Sequence, residues 1–327
     1  MFTLIQRIKN IFYPERYQGW GKASRYFEGW YFKLVNQTGS EALAIIPGIA
    51  MDEQGNKQAF IQVLDGKRKT AQYHRFPYET FNASRNSFEI SIDNNFFSSD
   101  CIKLDIEHLH GTLHFHERTP WPKYFLSPGI MGPYSFVPLM ECYHGIVSMN
   151  HEITGTLTLN GNAIDFNKGK GYLEKDWGKS FPSSYIWLQT NHFSEKNVSL
   201  KCSVAKIPWM GSSFVGFIAG FWWNNSLIRF TTYNQSKRIK TFANLEFVAI
   251  VLENTQYQLD IYAMRDAPTA LASPILGLMD GRIEETMNAV VRVKLTEKKS
   301  GKVVFNDNGI HAGLEVAGNI EELFIGI

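Results

Sequence analysis

After residue 16 helical periodicity is scarce. Short runs rich in Tyr, Phe, Trp, Val and Ile recur instead, separated by Gly, Asn, Asp and Pro. Residues 29–35, 43–49, 59–64, 88–92, 154–159, 185–190 and 213–222 are such runs. β-Branched and aromatic side chains suit a pleated, half-buried surface, and the breakers suit tight turns. The pattern therefore predicts an all-β antiparallel protein. An aromatic content of 14% fits this, since strands and apolar ligand sites both favour such residues.

The two halves of the chain echo each other in order. Trp30-Tyr31-Phe32 has a counterpart in Trp187-Leu188-Gln189, and Phe60-Ile61 has one in Phe217-Ile218, both at an offset of 157 residues. Leu104-Asp105-Ile106 matches Leu259-Asp260-Ile261 at an offset of 155. This predicts a duplicated β unit, with residues 1–165 as the first domain and 166–327 as the second. Each unit is long enough for a meander closed into a barrel or strongly curved sheet, which protects its edges and can enclose one small apolar ligand. Residues 267–278, with low charge and two prolines, are expected to form a loop able to act as a lid.

Lys+Arg total 33 and Asp+Glu 31, a net charge of +2. That balance argues against a protein whose affinity comes from phosphate contacts, so no nucleic-acid partner is expected. The cysteines are Cys101, Cys142 and Cys202, an odd number with no CxxC, read as reduced thiols in a cytoplasmic chain. No apolar run reaches the roughly 18–20 residues that span a bilayer. Leu4, Ile5, Ile8, Ile11 and Phe12 fall at helical spacing, with Arg7 and Lys9 on the other side. The spacing predicts a short N-terminal helix over residues 1–12 that packs on the domain or touches a membrane surface.

Three clusters can carry chemistry. In residues 25–33 (Arg-Tyr-Phe-Glu-Gly-Trp-Tyr-Phe-Lys), strand alternation puts Glu28, Trp30 and Phe32 on one face and Tyr31 and Lys33 on the other. A carboxylate beside an indole is a candidate acid with a raised pKa, or half of an ordinary Arg25–Glu28 pair. Residues 132–145 are almost uncharged until Glu141, which is followed by Cys142, Tyr143 and His144. A carboxylate closing an apolar run is paired, protonated or solvent-reaching. Residues 169–182 carry Glu174, Lys175, Asp176, Trp177 and Lys179, and the chain continues through Trp187, Gln189 and Asn191. Glu174 and Asp176 share a face, and two close carboxylates push one pKa up; the alternative is a turn held by local salt bridges.

His108, His110, His114 and His116 alternate at a spacing a metal site could use. With no completing Cys or second ligand strand, they read better as the wet face of a half-buried strand. No nucleotide-binding or nucleophile-elbow motif is present. Neither a metal nor a cofactor is expected.

The three clusters, with Pro47-Gly48 and residues 60–65, are where the chain resembles the tocopherol cyclase family, especially its bacterial members. Glu-Gly-Trp-Tyr-Phe-Lys (28–33) and Glu-Lys-Asp-Trp-Gly-Lys-Ser-Phe-Pro (174–182) are the most specific stretches. The resemblance implies a two-part lipocalin-like β architecture, similar to that of carotenoid hydratases. It also implies ring closure of a prenylated hydroquinone to a chromanol. The plant enzymes carry Asn at the Asp176 position, so the resemblance alone does not assign the acid.

Such a ring closure needs an acid for the alkene, a site that stabilises a tertiary cation, and a phenol held for attack with water excluded. Asp176 is the expected acid, with Glu28 and Glu141 as rivals. Trp30, Tyr31, Trp177 and Trp187 are expected to line a prenyl cavity. Tyr143, His144, Gln189 and Asn191 are expected to meet the head group. The alternative is a non-catalytic lipocalin-like carrier of isoprenoids or lipids, which needs the cavity but no buried acid.

Overall fold

The computed structural model describes residues 9–324. Nearly all regular structure is antiparallel strand, in two sheets. The first half contributes β1 (Tyr26–Val35), β2 (Ala42–Met51), β3 (Lys57–Asp65), β4 (Thr70–Pro77), β5 (Phe81–Ala83) and β6 (Glu89–Ile92). It continues with β7 (Asn95–Ser98), β8 (Cys101–Ile106), β9 (Leu109–His116), β10 (Cys142–Leu159), β11 (Asn162–Asp165) and β12 (Gly169–Gly178). The second half contributes β13 (Tyr185–Thr190), β14 (Ser199–Trp209), β15 (Ser212–Trp223), β16 (Ser226–Thr231) and β17 (Lys237–Ala243). It ends with β18 (Phe247–Glu253), β19 (Tyr257–Met264), β20 (Thr269–Ile275), β21 (Leu278–Glu297) and β22 (Val303–Ala317).

The first sheet runs β4-β3-β2-β1-β12-β10-β9-β8-β7-β6-β5, with β11 on β10. The second runs β16-β15-β14-β13-β22-β21-β19-β18-β17, with β20 on β21. The strand orders correspond outward from β1 and β13, so the pairs Trp30/Trp187 and Phe60/Phe217 sit on topologically equivalent strands. The third landmark does not: Leu104–Ile106 is on β8, whereas β19, which carries Leu259–Ile261, corresponds to β9. Two-residue alternation makes neighbouring strands look alike, and that produced the match.

The compact units are Met1–Phe181 with Leu271–Arg282, and Pro182–Ala270 with Ile283–Ile327. The boundary therefore differs from a division at residue 165. β12 pairs with both β1 and β10, making it a central strand of the first sheet. Residues 271–282 also belong to the first unit. There Gln62 exchanges hydrogen bonds with the backbone of Ala272, and the N–H groups of Leu276 and Gly277 donate to Ser180 Oγ and the Lys179 carbonyl. The expected lid loop is thus mostly strand, tied down by backbone bonds.

Each unit has its own apolar core. In the first it is built from the inward faces of β1–β3, β6–β10 and β12, with Trp30, Phe32, Phe97 and Leu173 among its buried members. In the second it includes Ile186, Leu200, Phe221, Ile250 and Val293. Residues 9–11 are helical; the rest of the expected N-terminal helix lies outside the described residues. No helix among the described residues is long and apolar enough to cross a membrane.

Candidate functional site

Residues directly opposite each other in an antiparallel ladder project to the same side. On β12, Asp176 faces Gly29 of β1 and His144 of β10, while Glu174 faces Tyr31 and Ile146. Tyr31, His144, Tyr172, Glu174 and Asp176 therefore share one face of the first sheet. Glu28, Trp30, Tyr143, Lys175 and Trp177 share the other, which is the core face.

On the first face His144 stands between two carboxylates. Its Nδ1 lies 2.7 Å from Asp176 Oδ1, and its Nε2 lies 3.5 Å from Glu174 Oε2. The Tyr172 hydroxyl donates a short hydrogen bond to the same Glu174 oxygen. Burial and the Glu174 charge hold that hydroxyl protonated, well above the ordinary tyrosine range. The Cys142 thiol lies 3.9 Å from Asp176 Oδ1. Glu174 is buried, whereas the Asp176 side chain keeps 23% of its surface exposed. Asp176 is thus the carboxylate of the pair that a ligand can reach.

His144, Glu174 and Asp176 each offer a ligand atom, all within 4.8 Å of one another, the spacing of a candidate metal site. One imidazole nitrogen and one oxygen from each carboxylate are of the kind that holds a divalent ion.

The core face has a different chemistry. Lys175 Nζ lies 2.6 Å from Glu28 Oε1, both side chains fully buried. Glu28 also accepts from the Tyr26 hydroxyl at 2.5 Å and from the Gln18 N–H at 2.8 and 3.1 Å. Lys175 donates to the Pro14 carbonyl at 2.9 Å and to that of Arg16. Its ammonium sits 4.9 Å from the Trp30 ring centre and 4.6 Å from that of Trp177. Burial lowers the Lys175 pKa, and Glu28 opposes that shift. The pair anchors residues 14–18 across the sheet.

This geometry corrects several expectations. Glu28 is committed to a buried ion pair on the face opposite Asp176. Trp30 is a core side chain: its ring stacks on Phe88 and its Nε1–H donates to the Glu15 carbonyl at 2.9 Å. Trp177 stacks on Tyr143, and the cation beside Trp30 and Trp177 is Lys175. Tyr143 donates to the Val137 carbonyl at 2.7 Å. Glu141 precedes β10, and its carbonyl accepts the Lys179 N–H at 2.8 Å. Its half-buried carboxyl is raised by burial, with Lys179 pulling the other way. Gly178, at φ +153°, makes this crossing possible: a Cβ there would lie 2.2 Å from the Glu141 oxygen.

Trp187, Gln189 and Asn191 belong to the second unit, all buried. Trp187 faces Glu315 and Ser203, and Gln189 faces Gly313 and Lys201. Lys201, itself buried, donates to Ser203 at 2.6 Å. Sequence reasoning passed over Tyr172, which alternates with Glu174 and Asp176, and Lys201, which lies across the ladder from Gln189. His110, His114 and His116 do share an exposed face of β9, while His108 sits in the preceding turn at φ +66°.

The family described as tocopherol cyclase-like matches residues 115–318. This is more than half of the chain, and it takes in His144, Glu174 and Asp176 but not Glu28 or Trp30. The "Probable tocopherol cyclase, chloroplastic" of Oryza sativa subsp. japonica is 26% identical over 195 residues, 55% of this chain. That match spans only 40% of the rice protein's length. Among solved structures, CghA with Sch210972 aligns with a TM-score of 0.54 at 9% identity, covering 90% of this chain and 89% of that one. An AttH candidate from Nitrosomonas europaea aligns with a TM-score of 0.51 at 14% identity, covering 88% and 92%. These structural likenesses show a shared fold. With the family match over β10–β12 of the first sheet and all strands of the second, the chain belongs to the tocopherol cyclase-like family.

Proposed function

We propose that the protein is an acid-catalysed cyclase of a prenylated hydroquinone or a related isoprenoid, with Asp176 as the acid. One observation carries the reading: an imidazole bonded to a reachable carboxylate stands 3.5 Å from a buried one in a family named for ring closure. The role follows from exposure and pairing. Glu174 is occupied by Tyr172 and is shielded from a ligand. Asp176 keeps part of its side chain exposed and has His144 beside it to resupply a proton.

The reaction is an isomerisation. The Asp176 carboxyl gives its proton to the less substituted alkene carbon, and the π bond supplies the electron pair for the new C–H bond. The resulting tertiary cation is stabilised by the ring of Tyr31 on the same face. The phenol oxygen then forms the C–O bond, and its proton returns to Asp176 directly or through His144. No cofactor is consumed.

The test is incubation of the protein with a phytyl-substituted dimethylhydroquinone, with products separated by chiral chromatography. A single chromanol enantiomer that disappears in Asp176→Asn is expected. Racemic trace product, or equal product from the variant, overturns the assignment.

A further inference from the structure

Residues 120–140, the middle of the connection between β9 and β10, contain one charged residue, Lys123, with Glu117, Arg118 and Glu141 at its two ends. A surface connection of that length is normally polar. Here it displays Tyr124, Phe125, Leu126, Phe136 and Leu139, with Phe125 at 82%, Leu126 at 70% and Leu139 at 81% exposure. The backbone holds them outward. Tyr124 and Ser127 exchange N–H···O bonds of 2.8 and 3.0 Å, so Phe125 and Leu126 occupy the tip of a tight turn. Leu139 sits at φ +64°, a conformation that costs a branched side chain energy and is unrewarded by burial here. Phe12 joins the patch from another part of the chain, with ring centres 6.5 Å from Phe125 and 5.9 Å from Phe136.

We infer that this patch is the surface by which the protein docks on an anionic lipid bilayer. Three observations favour lipid over a protein partner. The apolar groups are protruding tips, which a fluid monolayer accepts in any arrangement, whereas a protein interface needs a complementary face. The rim is basic: Lys9 is exposed at the end of the helical turn, and Arg16 and Lys123 lie over the Tyr13 ring at 3.7 and 5.2 Å. Against these three cations stands Glu15, the Lys123 partner at 2.8 Å. Aromatic and aliphatic tips ringed by cations match the chemistry of a membrane interface. Finally, the patch is tied to the site strand. The Tyr143 hydroxyl takes the Met140 N–H at 3.3 Å and donates to Val137, and His144 follows it in β10. The inference concerns the surface and does not depend on the reaction proposed above.

The test is flotation of the full-length protein with vesicles of equimolar phosphatidylcholine and phosphatidylglycerol. Wild type is expected to float, and F125D/L139D is expected to partition about tenfold less or weaker still, with unchanged thermal unfolding. Turnover of a short-chain, water-soluble prenyl hydroquinone should be equal in the two, which separates loss of docking from loss of chemistry. Three results would overturn the inference: wild type remaining with the soluble fraction, the double variant floating as well as wild type, or a wild-type dimer that the variant converts to monomer without any flotation.

Discussion

His144 Nδ1 lies 2.7 Å from Asp176 Oδ1, directly across the β10–β12 ladder. Two neighbouring strands thus bring together an acid and a base that are 32 residues apart in sequence. Because the pair is set by backbone register, its separation resists changes in the loops around it. The bulge that follows in β10, between Ile146 and Ser148, lies beyond the pair and leaves its register intact.

In the proposed mechanism this arrangement lets His144 pass a proton to Asp176. His144→Gln keeps hydrogen-bonding capacity but cannot carry a proton between the carboxylates. Turnover is expected to fall about 100-fold with KM little changed, the scale of a lost acid–base group. Steady-state kinetics on the chromanol-forming reaction checks this. A change confined to KM would make His144 a binding residue only.

Lys175 and Glu28 give a prediction about stability. Removing the ammonium leaves the enclosed Glu28 without its ion-pair partner, which costs about 3–5 kcal/mol in comparable sites, whereas removing both charges costs less. Lys175→Met is therefore expected to lower the urea midpoint strongly. Glu28→Gln/Lys175→Met should recover part of the loss. If Lys175→Met unfolds within about 1 kcal/mol of wild type, the pair is not the anchor of residues 14–18.

Much of this was legible along single strands and little of it between them. The alternation Tyr172-x-Glu174-x-Asp176 puts those side chains on one face whatever the sheet does, and the same rule separates Tyr31 from Trp30. Which of the two β1 faces joins Asp176 is set by the pairing of Gly29 with Asp176, a contact between segments almost half the chain apart. Local pattern does not encode it, so Trp30, Trp177 and Glu28 read as site residues when they surround Lys175 in the core. Nor does composition show that Lys175 is satisfied by the carbonyls of Pro14 and Arg16, since backbone oxygens are the same at every residue. The unit boundary differs from residue 165 because β12 is held in the first sheet by β10 just before it and by β1 far upstream.

Trp30 supplies a direct check on that distinction. As a core side chain stacked on Phe88, with its indole N–H bound to Glu15, Trp30→Phe should cost about 1–3 kcal/mol of stability and leave kcat/KM near wild type. Denaturant unfolding and kinetics on the same preparation decide it. A large loss of kcat/KM without destabilisation would return Trp30 to the substrate site.

The last prediction concerns acid. His151 is fully buried, its ring 4.6 Å from that of Phe115, and its Nδ1 lies 3.1 Å from Ser148 Oγ. Opposite it Gly171 leaves no room for change, because a Cβ there would fall 2.0 Å from His151 Nε2. Burial, helped by the Arg118 charge, lowers the imidazole pKa to about 3 from the ordinary 6.5. A depressed folded-state pKa means that the unfolded chain binds the extra proton first. The contribution is therefore complete above about pH 6.5 and is lost progressively as pH falls toward 3, at about 1.4 kcal/mol per pH unit. His151→Leu removes that proton from the unfolded state. Its stability should fall less steeply than wild type between about pH 6 and 4, by close to one proton, when urea unfolding is followed across that range. Parallel slopes would mean that His151 takes up its proton in the folded protein, and that the space beside Gly171 opens to admit it.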